Sequence, residues 1–270
     1  MAKSKWIGGF LGLLSGGPLG ALAGFVLGAL FDVVNEDELQ LMGDGAPSGG
    51  GSYRSYDSSD PDVREGTRNG FLFSLLTLAS YIIKADGKIM HSEMEAMRQF
   101  LRANFGEVAV AQGEEIMLRL FDRQKEIDAR QPGSYRQTIY ECCAQLRMVL
   151  SESQRLQLLS MLAMLAKADG NVASEEIGAL QEVAQQLGLS EAELNSMLNL
   201  GSTTLKDAYA VLEIDETATD EEVRQAYKRM VVKHHPDRVA TLGEDVKRAA
   251  EKKFQEINAA KELVFKARGM

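Results

Sequence analysis

Residues that perform covalent chemistry are scarce in this 270-residue sequence, which holds three histidines and two cysteines. It has no glycine-rich phosphate loop, no nucleophile elbow and no metal-protease motif, so a hydrolase or transferase is not expected. Cys142 and Cys143 are neighbours on a predicted helix, where adjacent side chains diverge by about 100°. A disulfide between them is not expected, and buried thiols in a reducing compartment are. Aromatic residues make up only 7% of the chain, while Ala, Leu, Met, Glu and Gln abound. That balance disfavours strands and points to an all-α protein. An excess of positive charge is also missing. The formal charge is −9, and from Leu205 to Met270 the 13 basic residues match 13 acidic ones. The acidic excess therefore lies in the first 204 residues. Nucleic acid is not expected as a partner, because phosphates demand a cationic surface.

Charge is absent altogether from Ile7 to Phe31, a run of 25 residues. As a helix it would span roughly 37 Å, enough to cross a hydrocarbon core of about 30 Å. Residues 1–35 are thus read as a membrane anchor. Gly8, Gly12, Gly16, Gly20, Gly24 and Gly28 recur at every fourth position. They fall on one helix side, where backbones can approach, so self-association as a homodimer is expected there. Two other readings stay open. Gly16-Gly17-Pro18 could kink the segment or make it re-entrant, and Lys3, Lys5 and Ala21-Leu22-Ala23 fit a cleaved signal peptide. Residues 36–66 read as a flexible linker, rich in Gly, Ser and Asp from Gly43 onward.

Residues 67–200 read as a helical bundle. Apolar helices are signalled from Phe71 to Ala85 and around Ile116, Leu118, Leu120 and Phe121. Ser92 with Glu95, Ser151 with Gln154, and Ser190 with Glu193 fit the capping box. An internal repeat is present: Lys84-Ala85-Asp86-Gly87-Lys88-Ile89 returns as Lys167-Ala168-Asp169-Gly170-Asn171-Val172. The plain reading is a duplicated helix–turn–helix with Gly87 and Gly170 as left-handed caps. The sharper one is metal binding by Asp86 with Glu93 and Asp169 with Glu176. Two carboxylates per copy are too few for a hard cation, so no metal and no cofactor is expected. The repeated motif resembles the tellurite-resistance TerB-like family, which implies a helical bundle.

Residues 205–270 carry the sharpest pattern. Leu205, Tyr209 and Leu212 mark a short helix, and Thr219 with Glu222 forms a capping box. Val223, Ala226, Tyr227 and Met230 then make a core-facing stripe. Arg224, Lys228, Arg229 and Lys233 are displaced toward the exposed side. Pro236 ends this helix, because the residue before proline is driven out of helical geometry. Ala250, Phe254, Ile257, Ala260 and Val264 define a further helix. The two would close as an antiparallel hairpin, with His235-Pro236-Asp237 at its tip and His234 shielding the helix end.

The stretch from Val223 to Arg238 and the Lys253-Phe-Gln-Glu-Ile-Asn-Ala-Ala run resemble the J-domain family. The resemblance implies that the partner is an Hsp70 whose ATPase is stimulated, with His235, Pro236 and Asp237 meeting it. Arg224, Lys228, Arg229 and Arg238 would face acidic surface on that partner. Lys261 departs from the family, which usually has an aromatic there, and is expected to loosen the helix. No client-binding module follows, so client selection is expected from the bundle or the anchor. The order of anchor, bundle and J-domain resembles membrane-anchored bacterial J-domain proteins, which implies the inner membrane. Lys3 and Lys5 alone would place the body outside, but a partner that needs ATP places it in the cytoplasm. The rival reading is a membrane scaffold or metal sensor in which the J-domain only recruits a chaperone.

Overall fold

The structure is a computed structural model and describes residues 18–23, 61–85, 87, 91–167, 172–200 and 204–270. Every labelled element among them is helical. The bundle comprises α1 (Pro61–Ile83), α2 (His91–Phe105), α3 (Glu107–Arg130), α4 (Ser134–Val149), α5 (Glu152–Ala166), α6 (Ser174–Gln186) and α7 (Glu191–Asn199). The terminal unit comprises α8 (Leu205–Val211), α9 (Asp220–Lys233), a 3-10 helix (Pro236–Leu242) and α10 (Glu244–Arg268). Helix α1 begins inside the stretch read as linker.

Helices α1 and α5 form the centre. From Asn69 to Ser80 every residue of α1 is buried, and α5 is buried on nearly all sides from Leu156 to Ala166. A helix that is apolar all round has to lie inside. Accordingly α1 packs against α3, α4, α5 and α6. Two of its polar groups are engaged: Ser74 donates to the Gly70 carbonyl, and Ser80 meets the buried Tyr135 hydroxyl at 3.2 Å. At the α2–α3 crossing, a Cβ on Gly113 would overlap a Leu101 methyl, so a larger residue there requires that side chain to move.

The capping boxes at Ser151/Gln154 and Ser190/Glu193 are present with both reciprocal bonds. Ser92 is a correction: α2 starts at His91, so Ser92 lies within the helix, and Glu95 instead pairs with Arg98 at 3.1 Å. Leu118, one of the residues that mark α3, lies on that helix and is 52% exposed. Cys142 and Cys143 are both buried and free. In the repeat, Gly87 takes φ 82°, whereas Asp86, Asp169 and Gly170 lie outside the described residues. Lys167 has a structural task, since its Nζ donates to the Leu198 and Leu200 carbonyls at 2.9 and 3.0 Å. It closes the C-terminus of α7, where cations are favoured. Glu176 accepts the Ala173 amide at 2.9 Å and caps α6. Among the described residues no group of three metal-ligating side chains occurs.

Of the uncharged N-terminal run, only residues 18–23 are described. They are helical, with Leu19, Leu22 and Ala23 buried and the Leu19 amide donating to Gln145 Oε1 at 3.1 Å. Among the described residues no helix is long and apolar enough to cross a membrane. Of the six-glycine face only Gly20 is described, and of the expected span only residues 18–23.

Candidate functional site: the His-Pro-Asp tip and its basic flank

Helix α9 starts where its capping box requires. Thr219 Oγ1 accepts the Glu222 amide, and Glu222 Oε2 accepts the Thr219 amide at 2.7 Å. Val223, Ala226 and Met230 are buried and face α10, whose Ile257, Ala260 and Val264 are buried in turn. Tyr227 is half-buried and donates to Asn258 Oδ1 at 2.8 Å, fixing the register of the pair. Arg268 closes the base of the hairpin by donating to Tyr209 Oη, Asp220 and the Glu216 carbonyl. Leu205 opens the short helix α8 and is 41% exposed; Tyr209 and Leu212 do the packing. Lys261 stands 5.5 Å from the Tyr227 ring centroid and 4.7 Å from that of Phe265. Those cation–π contacts take the place of an aromatic side chain, and α10 runs unbroken.

The tip turns outward. Helix α9 ends at Lys233, and His235 is extended at φ −63°, ψ 130°, the geometry that a following proline imposes. Pro236 opens the 3-10 helix, where its missing N–H costs nothing. His235 Nδ1 accepts the Asp237 amide at 3.3 Å, which leaves Nε2 as the donor of the neutral ring. The imidazole also sets its edge against Phe254, centroids 6.0 Å apart at 71°. His235 keeps 49% of its side chain exposed and Asp237 keeps 75%. Arg224, Lys228 and Arg229 are exposed along the neighbouring face of α9. Arg224 lies only 3.6 Å from Glu221, a loose surface pair worth about 0–1 kcal/mol.

Lys233 leaves that basic flank. It is 21% exposed and lies 2.5 Å from Glu193 of α7 and 3.3 Å from Glu213. Its position on the last turn of α9 points it at the bundle, which a helical wheel drawn for α9 alone does not contain. His234 is buried as expected. Burial, and then the charges on Lys253 and Lys233, pull its pKa down to about 2. Burial likewise brings the fully enclosed Lys253 to about 7. Both folded groups bind fewer protons than their unfolded counterparts in the window between the two values. For His234 that window lies below about 6.5. Acidification from pH 7.5 to 5.5 is therefore expected to destabilise the chain, with a slope approaching at most about 1.4 kcal/mol per pH unit from this one residue. Chemical denaturation across that range checks it, and His234→Leu should flatten the slope.

Sequence reasoning missed how the tip is held. Ser153 of α5 donates to the Lys233 carbonyl at 3.2 Å and accepts from Arg238 Nη1 at 3.1 Å. Gln154 donates to Thr241 Oγ1 at 3.2 Å. Arg68 and Asp245 pair at 2.6 Å, and Ser196 donates to the Val211 carbonyl at 2.8 Å. Val239 and Leu242 of the 3-10 helix are buried, and that helix packs on α1 and α5. The bundle and the terminal unit thus share one interface, built from residues far apart in the chain that no local pattern links.

A capped basic helix, a proline-broken tip and an antiparallel return helix define a J-domain. The comparisons agree. The DnaJ domain model matches residues 207–267, the tellurite resistance protein TerB model matches 73–199, and a co-chaperone DjlA transmembrane domain model matches 1–50. The Shewanella oneidensis co-chaperone protein DjlA is 30% identical over 151 residues, covering 48% of this chain and 58% of that protein. Its Vibrio vulnificus counterpart is 25% identical over 238 residues, covering 74% of this chain and 78% of that one. Human DnaJ homolog subfamily C member 7 is 36% identical over 66 residues, 24% of this chain and 13% of that protein. Against the Shewanella and Photobacterium profundum relatives the chain spans only 58% and 47% of their length. No solved structure matches. The chain is a DjlA-like J-domain protein with a TerB-like domain.

Proposed function

We propose that the chain is a membrane-anchored co-chaperone that binds a DnaK-type Hsp70 through its J-domain and stimulates that partner's ATPase, without being an enzyme itself. The observation that carries this reading is the exposed His235-Pro236-Asp237 tip beside the exposed cations of α9. Arg224, Lys228, Arg229 and Arg238 steer an acidic partner surface into register, and the tip then meets the groups that couple docking to hydrolysis. The match of residues 1–50 to a DjlA transmembrane domain supports anchoring in the inner membrane. The partner's need for ATP places the bundle and J-domain in the cytoplasm. Self-association through the glycine face belongs to the same reading, as does a chain divided near residues 35, 66 and 204.

The bundle selects clients or partners. An open groove of about 450 Å³ between bundle and J-domain supports this, lined by Phe100, Met164, Met197, Ala249 and Lys252. The test is steady-state ATPase of a bacterial DnaK with the full chain in detergent or nanodiscs. Added at sub-stoichiometric levels, the chain is expected to raise turnover several-fold. An unchanged rate at saturating chain would remove the reading, and digestion of the body from the outer face of sealed vesicles would remove the placement.

A further inference from the structure

One hydroxyl of the bundle touches the chain on both sides of the tripeptide. Ser153 is 7% exposed, in the first turn of α5. It donates to the carbonyl of Lys233, two residues before His235, and accepts from Arg238, the residue after Asp237. Its neighbour Gln154 spends Oε1 on the Ser151 amide within the capping box, and Nε2 on Thr241 of the 3-10 helix. The cap that starts α5 is therefore also the seat on which the tip rests.

These contacts orient the tip without covering it. His235 and Asp237 remain 49% and 75% exposed, and Arg238 is exposed although one of its N–H groups is engaged. A guanidinium has five donors, so fixing one directs the remainder. A turn that must order on docking loses affinity to conformational entropy, and a turn already held does not.

We propose that Ser153 is a positioning residue for Hsp70 engagement: its hydroxyl lets the TerB-like bundle pre-order the His-Pro-Asp turn and aim Arg238. The inference rests on the Hsp70 reading above for its functional consequence, but the ordering itself can be measured without a partner.

The experiment compares the full chain with Ser153→Ala and Ser153→Thr. Hydrogen exchange across residues 233–239 is read by mass spectrometry, and the half-maximal concentration for DnaK stimulation is read in parallel. Ser153→Ala is expected to speed exchange at the tip and raise the half-maximal concentration roughly three- to tenfold, with the thermal midpoint lowered by only about 2–4 °C. Ser153→Thr, which keeps the hydroxyl, is expected to restore both. Unchanged exchange in Ser153→Ala overturns the proposal, as does faster exchange with unchanged stimulation. Stronger stimulation by Ser153→Ala would make the contact a brake and overturn it equally. Should Thr fail to restore either quantity, the loss would belong to packing. If the intact chain stimulates no DnaK, the Hsp70 reading falls, while exchange at the tip alone still decides whether Ser153 orders it.

Discussion

Asp237→Asn in the full chain is expected to abolish stimulation of DnaK while leaving the fold untouched. The Asp237 carboxylate is 75% exposed and lies 3.6 Å from His235 Nδ1 within the tip, the same nitrogen that accepts the Asp237 amide, so it ties no other element in place. Removing its charge therefore removes nothing from the bundle or the hairpin seam. Against a partner the situation differs, because truncating one member of a desolvated charge pair costs about 2–5 kcal/mol. That corresponds to a loss of thirtyfold or more in coupling. His235→Gln should behave alike, with a small added loss of stability from the edge contact to Phe254. ATPase assays with circular dichroism melts separate the two effects. A variant that stimulates fully would refute the role given to the tip.

The second large effect belongs to the flank. Arg224→Glu combined with Arg229→Glu reverses two exposed cations, of which Arg224 has one loose partner at 3.6 Å. Stability should change by less than about 0.5 kcal/mol, since neither side chain packs in the seam. Association should slow by one to two orders of magnitude at low salt, because steering by complementary charge operates mainly on the on-rate. The intact chain should lose affinity as salt rises, whereas the double variant should be nearly indifferent. Stopped-flow binding at two ionic strengths measures both. Wild-type salt dependence in the double variant would assign steering to Lys228 and Arg238 instead.

What could be read from the sequence was whatever short spacing encodes. The boxes at Ser151/Gln154, Ser190/Glu193 and Thr219/Glu222 were legible because each joins residues three apart. The stripe of Val223, Ala226 and Met230 was legible for the same reason, and the proline marked the tip. Ser92 misled because the pattern matches equally well one residue inside a helix that starts earlier. Lys233 misled because its partner Glu193 lies 40 positions away on another unit. The support of the tip was invisible on similar grounds: Ser153 and Arg238 are 85 positions apart, and neither residue type signals the other. Long-range polar contacts have no periodicity to detect. The 3-10 helix after Pro236 escaped notice as well, since seven residues of mixed polarity carry no clear repeat.

The two adjacent thiols of α4 have a practical consequence. Both are fully enclosed, and burial pushes each up from the ordinary thiol range, so neither offers a thiolate while the bundle is closed. Uptake of a thiol reagent must then wait for the core around Tyr135 and Ile139 to open. With no cysteine elsewhere in the sequence, the labelling rate becomes a built-in clock of bundle opening, readable in the intact chain without introducing any probe.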